Sequence, residues 1–151
     1  MADPRELQDY LHRKIPIARA MGLKVIRAER DGVTLAAPLD PNVNHRDTAF
    51  GGSIASAAIL SCWSLVWVRL LEDAPGHRIV IHRSEVEYQA PIHGEFLAVA
   101  EAPSGDRWTR FVEVLRRKGR ARIHLDALVS SPDGDVCAVF HGHYVALAPG
   151  G

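Results

Sequence analysis

The chain has 151 residues, which is long enough for one domain with its own hydrophobic core, and we predict a single domain over residues 1–151. Its 18 basic side chains balance 18 acidic ones, so the formal net charge of zero gives no electrostatic reason to expect a nucleic acid partner. The hydrophobic content of 47% is ordinary for a globular protein. These values favour a small molecule or another protein as the partner.

The cysteines and the N-terminus indicate the compartment. Cys62 and Cys137 are too few for a disulfide framework and lack the spacing of a metal site, and Cys62 lies in the most apolar part of the chain. The N-terminus is charged and has no apolar segment of the kind that a secretory signal requires. We therefore predict a cytoplasmic protein with reduced thiols.

Residues 3–21 are predicted to form an N-terminal helical segment. Asp is a common N-cap residue, Pro is favoured at the first position of a helix, and Glu at the third position completes a capping box. Asp3, Pro4 and Glu6 have this spacing and predict a helix start. Gly22 is the expected stop.

Two β-like runs, residues 23–30 and 33–37, follow the helical segment. The dipeptide Asp31-Gly32 between them predicts a tight turn with positive φ, so we expect the two runs to pair as a hairpin.

Residues 51–72 are predicted to form one long helix. No charged residue occurs between Gly51 and Val68, so length and composition fit a membrane span as well as a helix buried on every side in a soluble domain. The strands predicted after it need an apolar cover on one face, and this helix is the available one. We therefore predict a core helix and no membrane span.

After this helix the sequence alternates as β-strands do. We predict five consecutive antiparallel strands, over residues 79–90, 96–102, 108–117, 120–130 and 136–147. A basic cluster at the predicted hairpin tip is either a solvated turn or a site for phosphates or an acidic protein: Arg116, Arg117, Lys118, Arg120 and Arg122. The sum is an α+β domain whose curved antiparallel sheet wraps one long central helix, and its open edge predicts pairing with a second copy.

The loop before the long helix carries the motif PNVNHRDTAFGGS, from Pro41 to Ser53, and Trp63 follows eleven residues after Gly52. This motif and the order of elements resemble the hotdog-fold thioesterases, and most closely the thioesterase domain that lies C-terminal to an acetyltransferase in YiiD proteins. The resemblance covers nearly the whole chain. Because residues 1–38 are too short for an acetyltransferase, we expect a stand-alone version of that domain.

The resemblance implies a hotdog fold, hydrolysis of acyl thioesters carried on coenzyme A or acyl carrier protein, and a homodimer or a dimer of dimers. It implies no cofactor other than the coenzyme A moiety of the substrate. Since fold alone does not fix the reaction, two alternatives stay open. One is a non-catalytic module that binds acyl-CoA or an acyl carrier, and the other is an enoyl-thioester hydratase or dehydratase.

Thioester hydrolysis needs hydrogen-bond donors where the carbonyl oxygen becomes negative. Gly51 and Gly52 lie at the predicted N-terminus of the long helix, where free N–H groups and the helix dipole favour an oxyanion, and Gly52 N–H is the leading donor. A purely structural role, the close approach of helix and sheet, is the alternative for this pair. We expect the substrate to be bound by Asn42, Phe50, Gly51 and Ser53, and for Asn42 a structural role in the turn is the alternative.

The same reaction needs a group that orients and deprotonates water. Asn44 either orients the carbonyl or the water through its amide, or shapes the loop. Asp47 is the carboxylate nearest to the Gly pair in the sequence and is the candidate base. His45 is the second candidate.

The phenylacetyl-CoA type of hotdog thioesterase differs at two of these positions. It has His-Gly-Gly where this chain has Phe50 before the Gly pair, and an Asp or Glu about two turns into the helix, where this chain is apolar near Ile59. No acid occurs on the predicted helix before Glu72. The base therefore comes from the loop or from a partner subunit, with Glu85 or Glu87 as candidates, or hydrolysis does not occur.

Other reactive side chains have weaker patterns. His141-x-His143 places two imidazoles on one strand face, but no third ligand has convincing spacing, so we predict no metal site. Cys62 is expected to be an inert core thiol. Trp63 and Trp67, at i and i+4, are expected in the core, where one could wall an acyl pocket.

Overall fold

The computed structural model describes residues 2–150 of the chain. Its helices are α1 (Pro4–Lys14), α2 (Pro16–Ala20), α3 (Gly51–Asp73) and α4 (Arg107–Lys118). Its strands are β1 (Lys24–Glu29), β2 (Gly32–Ala37), β3 (Arg78–Tyr88), β4 (Phe96–Glu101), β5 (Arg120–Ser130) and β6 (Val136–Leu147). A 3-10 turn, Asp40–Asn42, lies in the loop before α3.

The six described strands form one antiparallel sheet in the order β1-β2-β4-β5-β6-β3, and α3 contacts every one of them. Every second residue of β5 from Ala121 to Val129 is buried, as the alternation in the sequence predicted. The result is the predicted α+β hotdog fold, a curved sheet around one long helix.

α3 is long and apolar enough to cross a membrane, but 61% of its most apolar 18-residue stretch is buried inside the protein, which is the environment of a core helix. The prediction that it is buried on every side is wrong. One stripe of the helix is half-buried or exposed because the sheet covers only the other faces: Gly52, Ser56, Ile59, Trp63, Trp67 and Leu71.

The segment predicted as the third strand after the long helix, residues 108–117, is instead helix α4. Its buried side chains recur at helical spacing: Trp108, Phe111, Val112 and Leu115. Gly119 ends α4 in the left-handed conformation with a φ of 72°. The basic residues Arg116, Arg117 and Lys118 therefore lie in the last turn of a helix, at the negative end of its dipole, and not at a hairpin tip. Within residues 2–150, four strands follow α3 and not the predicted five.

β1 and β2 pair as predicted, but the turn between them differs from the prediction. Glu29 pairs with Gly32, so the turn residues are Arg30 and Asp31, and neither has positive φ. Arg69 on α3 donates from Nε to the Arg30 carbonyl at 2.6 Å. This contact with the core helix holds the turn, and a contact between residues 39 positions apart cannot be read from the local dipeptide.

The sheet ends at β1 on one side and β3 on the other. β3 is mostly exposed, with Val80 at 48%, Ile81 at 37% and Tyr88 at 53% of their full accessibility. A long edge strand with exposed apolar side chains is a surface that proteins usually pair or cover.

Candidate functional site

Asn42 anchors the loop between β2 and α3. Its side chain is 2% exposed, and its amide nitrogen donates to the carbonyl oxygens of Met21 at 2.8 Å and Pro38 at 2.7 Å. Its own carbonyl accepts from the Phe50 N–H at 2.7 Å. Both hydrogens of the Asn42 side-chain amide therefore bond to backbone carbonyls beneath the loop. Asn42 is positioned to anchor the loop and does not face a substrate.

Asn44 shapes the tip of the same loop. Its amide oxygen accepts from the N–H groups of Arg46 at 2.8 Å and Thr48 at 3.2 Å, and its amide nitrogen donates to Thr48 Oγ1 at 2.9 Å and to the Ala49 carbonyl at 3.4 Å. These four bonds use the full capacity of an amide side chain. Of the two roles open in the sequence, the structure therefore favours loop shaping, and Thr48 is the partner that sequence analysis missed.

His45 and Asp47 lie at the exposed tip of the loop. Asp47 has a φ of 62°, the left-handed conformation, and its N–H donates to the Asn44 carbonyl at 3.2 Å. Non-glycine residues adopt this conformation rarely, and Asp is among the types that tolerate it best. The side chains of His45 and Asp47 make no hydrogen bond or ion pair within residues 2–150, so they are free to meet a substrate or water.

The first turn of α3 presents two unpartnered donors. Phe50 occupies the N-cap and supplies no side-chain cap, while its carbonyl accepts from the N–H groups of Ser53 at 3.0 Å and Ile54 at 3.1 Å. In the described part of the chain, no acceptor is found for the N–H groups of Gly51 and Gly52. Adjacent free donors at the positive end of a 23-residue helix make a favourable position for an oxyanion.

Both glycines are in close contact with aromatic rings. A Cβ at Gly52 would lie 2.4 Å from Cε2 of Phe50, whose side chain is 56% exposed. A Cβ at Gly51 would lie 3.4 Å from the ring of Tyr88, and the Tyr88 hydroxyl donates to the Gly51 carbonyl at 2.8 Å. Phe50 and Tyr88 therefore flank the helix start, and Tyr88 is a site residue that no local pattern 37 positions away could have revealed.

A shallow cleft of about 330 Å³ opens beside this helix start. Its lining combines the end of the loop, the first turn of α3 and the end of β3: Ala49, Gly51, Ile54, Tyr88, Gln89, Ala90 and Pro91. The lining is mainly apolar and contains no carboxylate. It suits an acyl chain better than a charged group.

Deeper in α3, the structure places no reactive group. Ile59, near which the phenylacetyl-CoA type of hotdog thioesterase is expected to carry an acid, is half-buried, and its carbonyl accepts from the Tyr144 hydroxyl at 2.6 Å. Ser61 Oγ donates to the Ala58 carbonyl at 2.8 Å. Burial raises the pKa of the Cys62 thiol to about 12, so this group is protonated at neutral pH, as expected for an inert core cysteine.

The loop and the helix start therefore come together as the sequence suggested, with different tasks for their members. Gly51, Gly52, Phe50 and Ser53 form the first turn, and the exposed His45 and Asp47 lie on the loop before it. Asn42 stabilises this arrangement by hydrogen bonds to the backbone under the loop, and Asn44 does so by hydrogen bonds within the loop.

Solved structures similar to this one come from several bacteria. A protein of unknown function from Chlorobaculum tepidum is 31% identical, with 96% of this chain and 94% of that chain covered and a TM-score of 0.89. A structure described as a putative thioesterase from Shewanella oneidensis is 27% identical, with 97% of each chain covered and a TM-score of 0.85. A protein from Pseudomonas aeruginosa described as a probable thioesterase is 20% identical, with 97% of each chain covered and a TM-score of 0.75, and it supports the fold alone.

The model of one protein family, described as "Putative thioesterase (yiiD_Cterm)", matches residues 4–148. The match includes the whole loop, all of α3 and every strand of the sheet.

Proposed function

We propose that this chain, which belongs to the YiiD_C putative thioesterase family, hydrolyses acyl thioesters at the N-terminus of α3. The observation that carries the proposal is the pair of unpartnered N–H groups on Gly51 and Gly52 beside an apolar cleft. A negative charge develops on the thioester carbonyl oxygen when water attacks, and fixed donors that meet this charge lower the barrier. Loss of one such donor typically costs about 10²–10³ in kcat.

The substrate is an acyl group on coenzyme A or acyl carrier protein. Its acyl chain enters the cleft between Ile54 and Tyr88, and its carbonyl oxygen points toward the Gly52 N–H. Phe50, which lies over the first turn, packs against the thioester from the solvent side. No further cofactor takes part, and the reaction takes place in the cytoplasm.

Water is activated by a group on the exposed loop. Asp47 is the leading base because its side chain is exposed and unpartnered within residues 2–150. His45, two residues earlier on the same tip, is the second candidate. Asn44 is a positioning residue that fixes the backbone at Asp47 through the bond from the Asp47 N–H to its carbonyl.

A second copy of the chain completes the site. The exposed edge strand β3 carries Val80, Ile81 and Tyr88, and pairing it with the β3 of another copy covers these apolar side chains. The same edge carries Glu85 and Glu87, both exposed, as candidate carboxylates for the site of the second copy. A homodimer, or a dimer of such dimers, is the assembly that these features support.

The test is a screen of acyl-CoA substrates, with release of free thiol as the signal. Asp47→Asn should lower kcat/KM by about 10²- to 10⁴-fold, the usual contribution of a general base. Asp9→Asn, which changes an exposed aspartate on α1, is the matched control and should leave kcat/KM unchanged. Full activity in folded Asp47→Asn would refute this base and leave His45 or a carboxylate of the second copy.

The cleft has no carboxylate in its lining, and this favours a second candidate, a non-catalytic module that binds acyl thioesters. Calorimetry separates the two. Stoichiometric binding of acyl-CoA with no thiol release between pH 5 and pH 9, roughly the range over which the usual general bases titrate, would establish the binding module and reject the hydrolase.

A further inference from the structure

The outer face of the sheet carries a cluster of metal-ligand side chains that the sequence pattern concealed. In the register between β5 and β6, Asp126 pairs with His141 and His124 pairs with His143. Residues opposite each other in a sheet project to the same face, and so do residues two apart on one strand. Three imidazoles and one carboxylate therefore occupy neighbouring positions, although only the His-x-His half is recognisable along the chain.

We propose that His124, Asp126 and His141 bind a divalent transition-metal cation. Asp126 Oδ1 lies 2.5 Å from His141 Nδ1 and 3.0 Å from His124 Nε2, and one ligand atom from each residue lies within 4.8 Å of the others. A tetrahedral zinc ion with bonds of about 2.0–2.2 Å holds its ligand atoms about 3.3 Å apart. Both Asp126 contacts are at hydrogen-bond distance, so a cation replaces the proton in each of them and the ligand atoms move apart to that spacing.

Three neighbouring residues can affect the coordination and the charge at the proposed metal site. The ring of His143 stacks on that of His124 with centroids 4.9 Å apart, so a fourth nitrogen is close. On β3, Glu85 pairs with His141 and Arg83 pairs with His143, which puts one charge of each sign beside the cluster. Their effects on a bound cation oppose each other.

Arg107 is the other positive group beside the cluster. Its Nη2 donates to the His124 carbonyl at 2.6 Å and lies 3.4 Å from His124 Nδ1. His124 therefore presents Nδ1 to the guanidinium and Nε2 to Asp126. A cation bound at Nε2 leaves the proton of the neutral imidazole on Nδ1, so the 3.4 Å contact with the guanidinium must open, and Arg107 opposes the cation both by its charge and through this tautomer.

The donor set indicates the class of cation. Two imidazole nitrogens and one carboxylate oxygen suit Zn²⁺ and its first-row neighbours, whereas Ca²⁺ and Mg²⁺ prefer sites built from oxygen alone. A cleft of about 300 Å³ adjoins His124 and Asp126 and also contains Glu101, Ser104 and Arg107. The fourth coordination position is filled by His143 or by water or an anion from this cleft, where Arg107 can contact it.

This site is separate from the proposed thioester site. Its ligands lie on the outer face of β5 and β6, whereas the cleft beside the α3 N-terminus is lined by the loop, α3 and the end of β3. Zinc binding and thioester hydrolysis can therefore succeed or fail independently of each other.

The test is calorimetric titration of the full chain with ZnCl₂. We expect one ion per chain with a dissociation constant on the order of micromolar, and Asp126→Asn and His141→Gln should weaken binding by at least about 10-fold, the effect that even an outer-shell partner produces. His93→Gln changes an exposed histidine elsewhere and should bind as the unaltered chain does. MgCl₂ should give no heat of binding. Circular dichroism of each variant checks that it is folded.

A second measurement needs no variant. In NMR spectra of the histidine side chains, Zn²⁺ should move the signals of His124 and His141 and leave those of His45 and His93 in place. Absence of a zinc heat signal in the full chain, or equal zinc affinity in folded Asp126→Asn and in the unaltered chain, would overturn the proposal. So would shifts spread evenly over all the histidines, because they indicate non-specific binding.

Discussion

Gly52→Ala is the sharpest test of the proposed oxyanion site. The added Cβ would lie 2.4 Å from Cε2 of Phe50 and 3.1 Å from its Cδ2 and Cζ, so the ring must rotate away. Phe50 is 56% exposed, which makes that movement inexpensive. Alanine also favours a helix over glycine by about 0.5–1 kcal/mol. The free energy of unfolding should therefore stay the same or rise slightly.

The catalytic activity of Gly52→Ala should fall, although its stability should not. The methyl group stands beside the N–H that meets the carbonyl oxygen, and Phe50 no longer covers the first turn. We expect kcat/KM for acyl-CoA to fall by at least about 10-fold, which equals about 1.4 kcal/mol in transition-state stabilisation. Initial rates of thiol release give kcat and KM, and thermal unfolding gives stability.

A double variant identifies the cause. In Phe50→Ala with Gly52→Ala the steric conflict with the ring is absent. If activity returns to that of Phe50→Ala alone, displacement of the ring caused the loss, and if it stays low, the methyl group itself blocks the donor. Unchanged kcat/KM in a folded Gly52→Ala protein would refute the assignment of the Gly52 N–H as an oxyanion donor.

Three further predictions concern the core and its titration. Leu65 is 0% exposed on α3, so Leu65→Ala should lower the free energy of unfolding by about 2–5 kcal/mol in urea denaturation, whereas Leu71→Ala, at a position 45% exposed, should change it by only about 0.5 kcal/mol. Both cysteines are buried and the pKa of Cys62 is raised to about 12, so DTNB should detect two thiols only after unfolding, and reaction of Cys62 in the native protein would contradict its burial. Burial raises the pKa of Asp73, but hydrogen bonds, chiefly from Arg30, outweigh this and leave it below its ordinary value of 3.8. The ionised carboxylate therefore stabilises the fold above the unfolded-state pKa, and this stability is lost as the pH falls through the lower folded-state pKa. Asp73→Asn should flatten the fall of Tm below pH 4, roughly where an unperturbed Asp titrates, and an unchanged Tm profile would show that Asp73 does not contribute.

Helix α4 and the β1–β2 turn differ from their predictions for different physical reasons. The helical spacing of Trp108, Phe111, Val112 and Leu115 and the Gly119 stop were present in the sequence, so α4 could have been predicted from its 3.6-residue period. The turn at Arg30 and Asp31 could not have been predicted from the local sequence, because a hydrogen bond from the side chain of Arg69 on α3 stabilises it.

The roles of the loop asparagines were likewise open in the sequence. Asn44 and Asn42 have residue types suited both to turns and to substrate contact, and local pattern does not separate these roles. Their hydrogen-bond partners separate the roles. The amide of Asn42 donates to the carbonyls of Met21 and Pro38, just after the ends of α2 and β2, whereas the amide of Asn44 bonds within the loop.

The sequence by itself determined the features that depend on nearby residues. These are the long uncharged helix, the Gly pair at its start, the polar loop before it and the alternating strands that must cover it. Such features follow from side-chain periodicity and backbone preference within a few positions.

Only the tertiary structure decided which distant groups meet. The sheet register placed His124 and Asp126 beside His141, and the path of β3 brought the Tyr88 hydroxyl to the Gly51 carbonyl. The physical reason is that a register shift at Val129/Ser130 displaces the β5–β6 pairing and the packing of the sheet on α3 sets the path of β3, so counting along the chain gives neither.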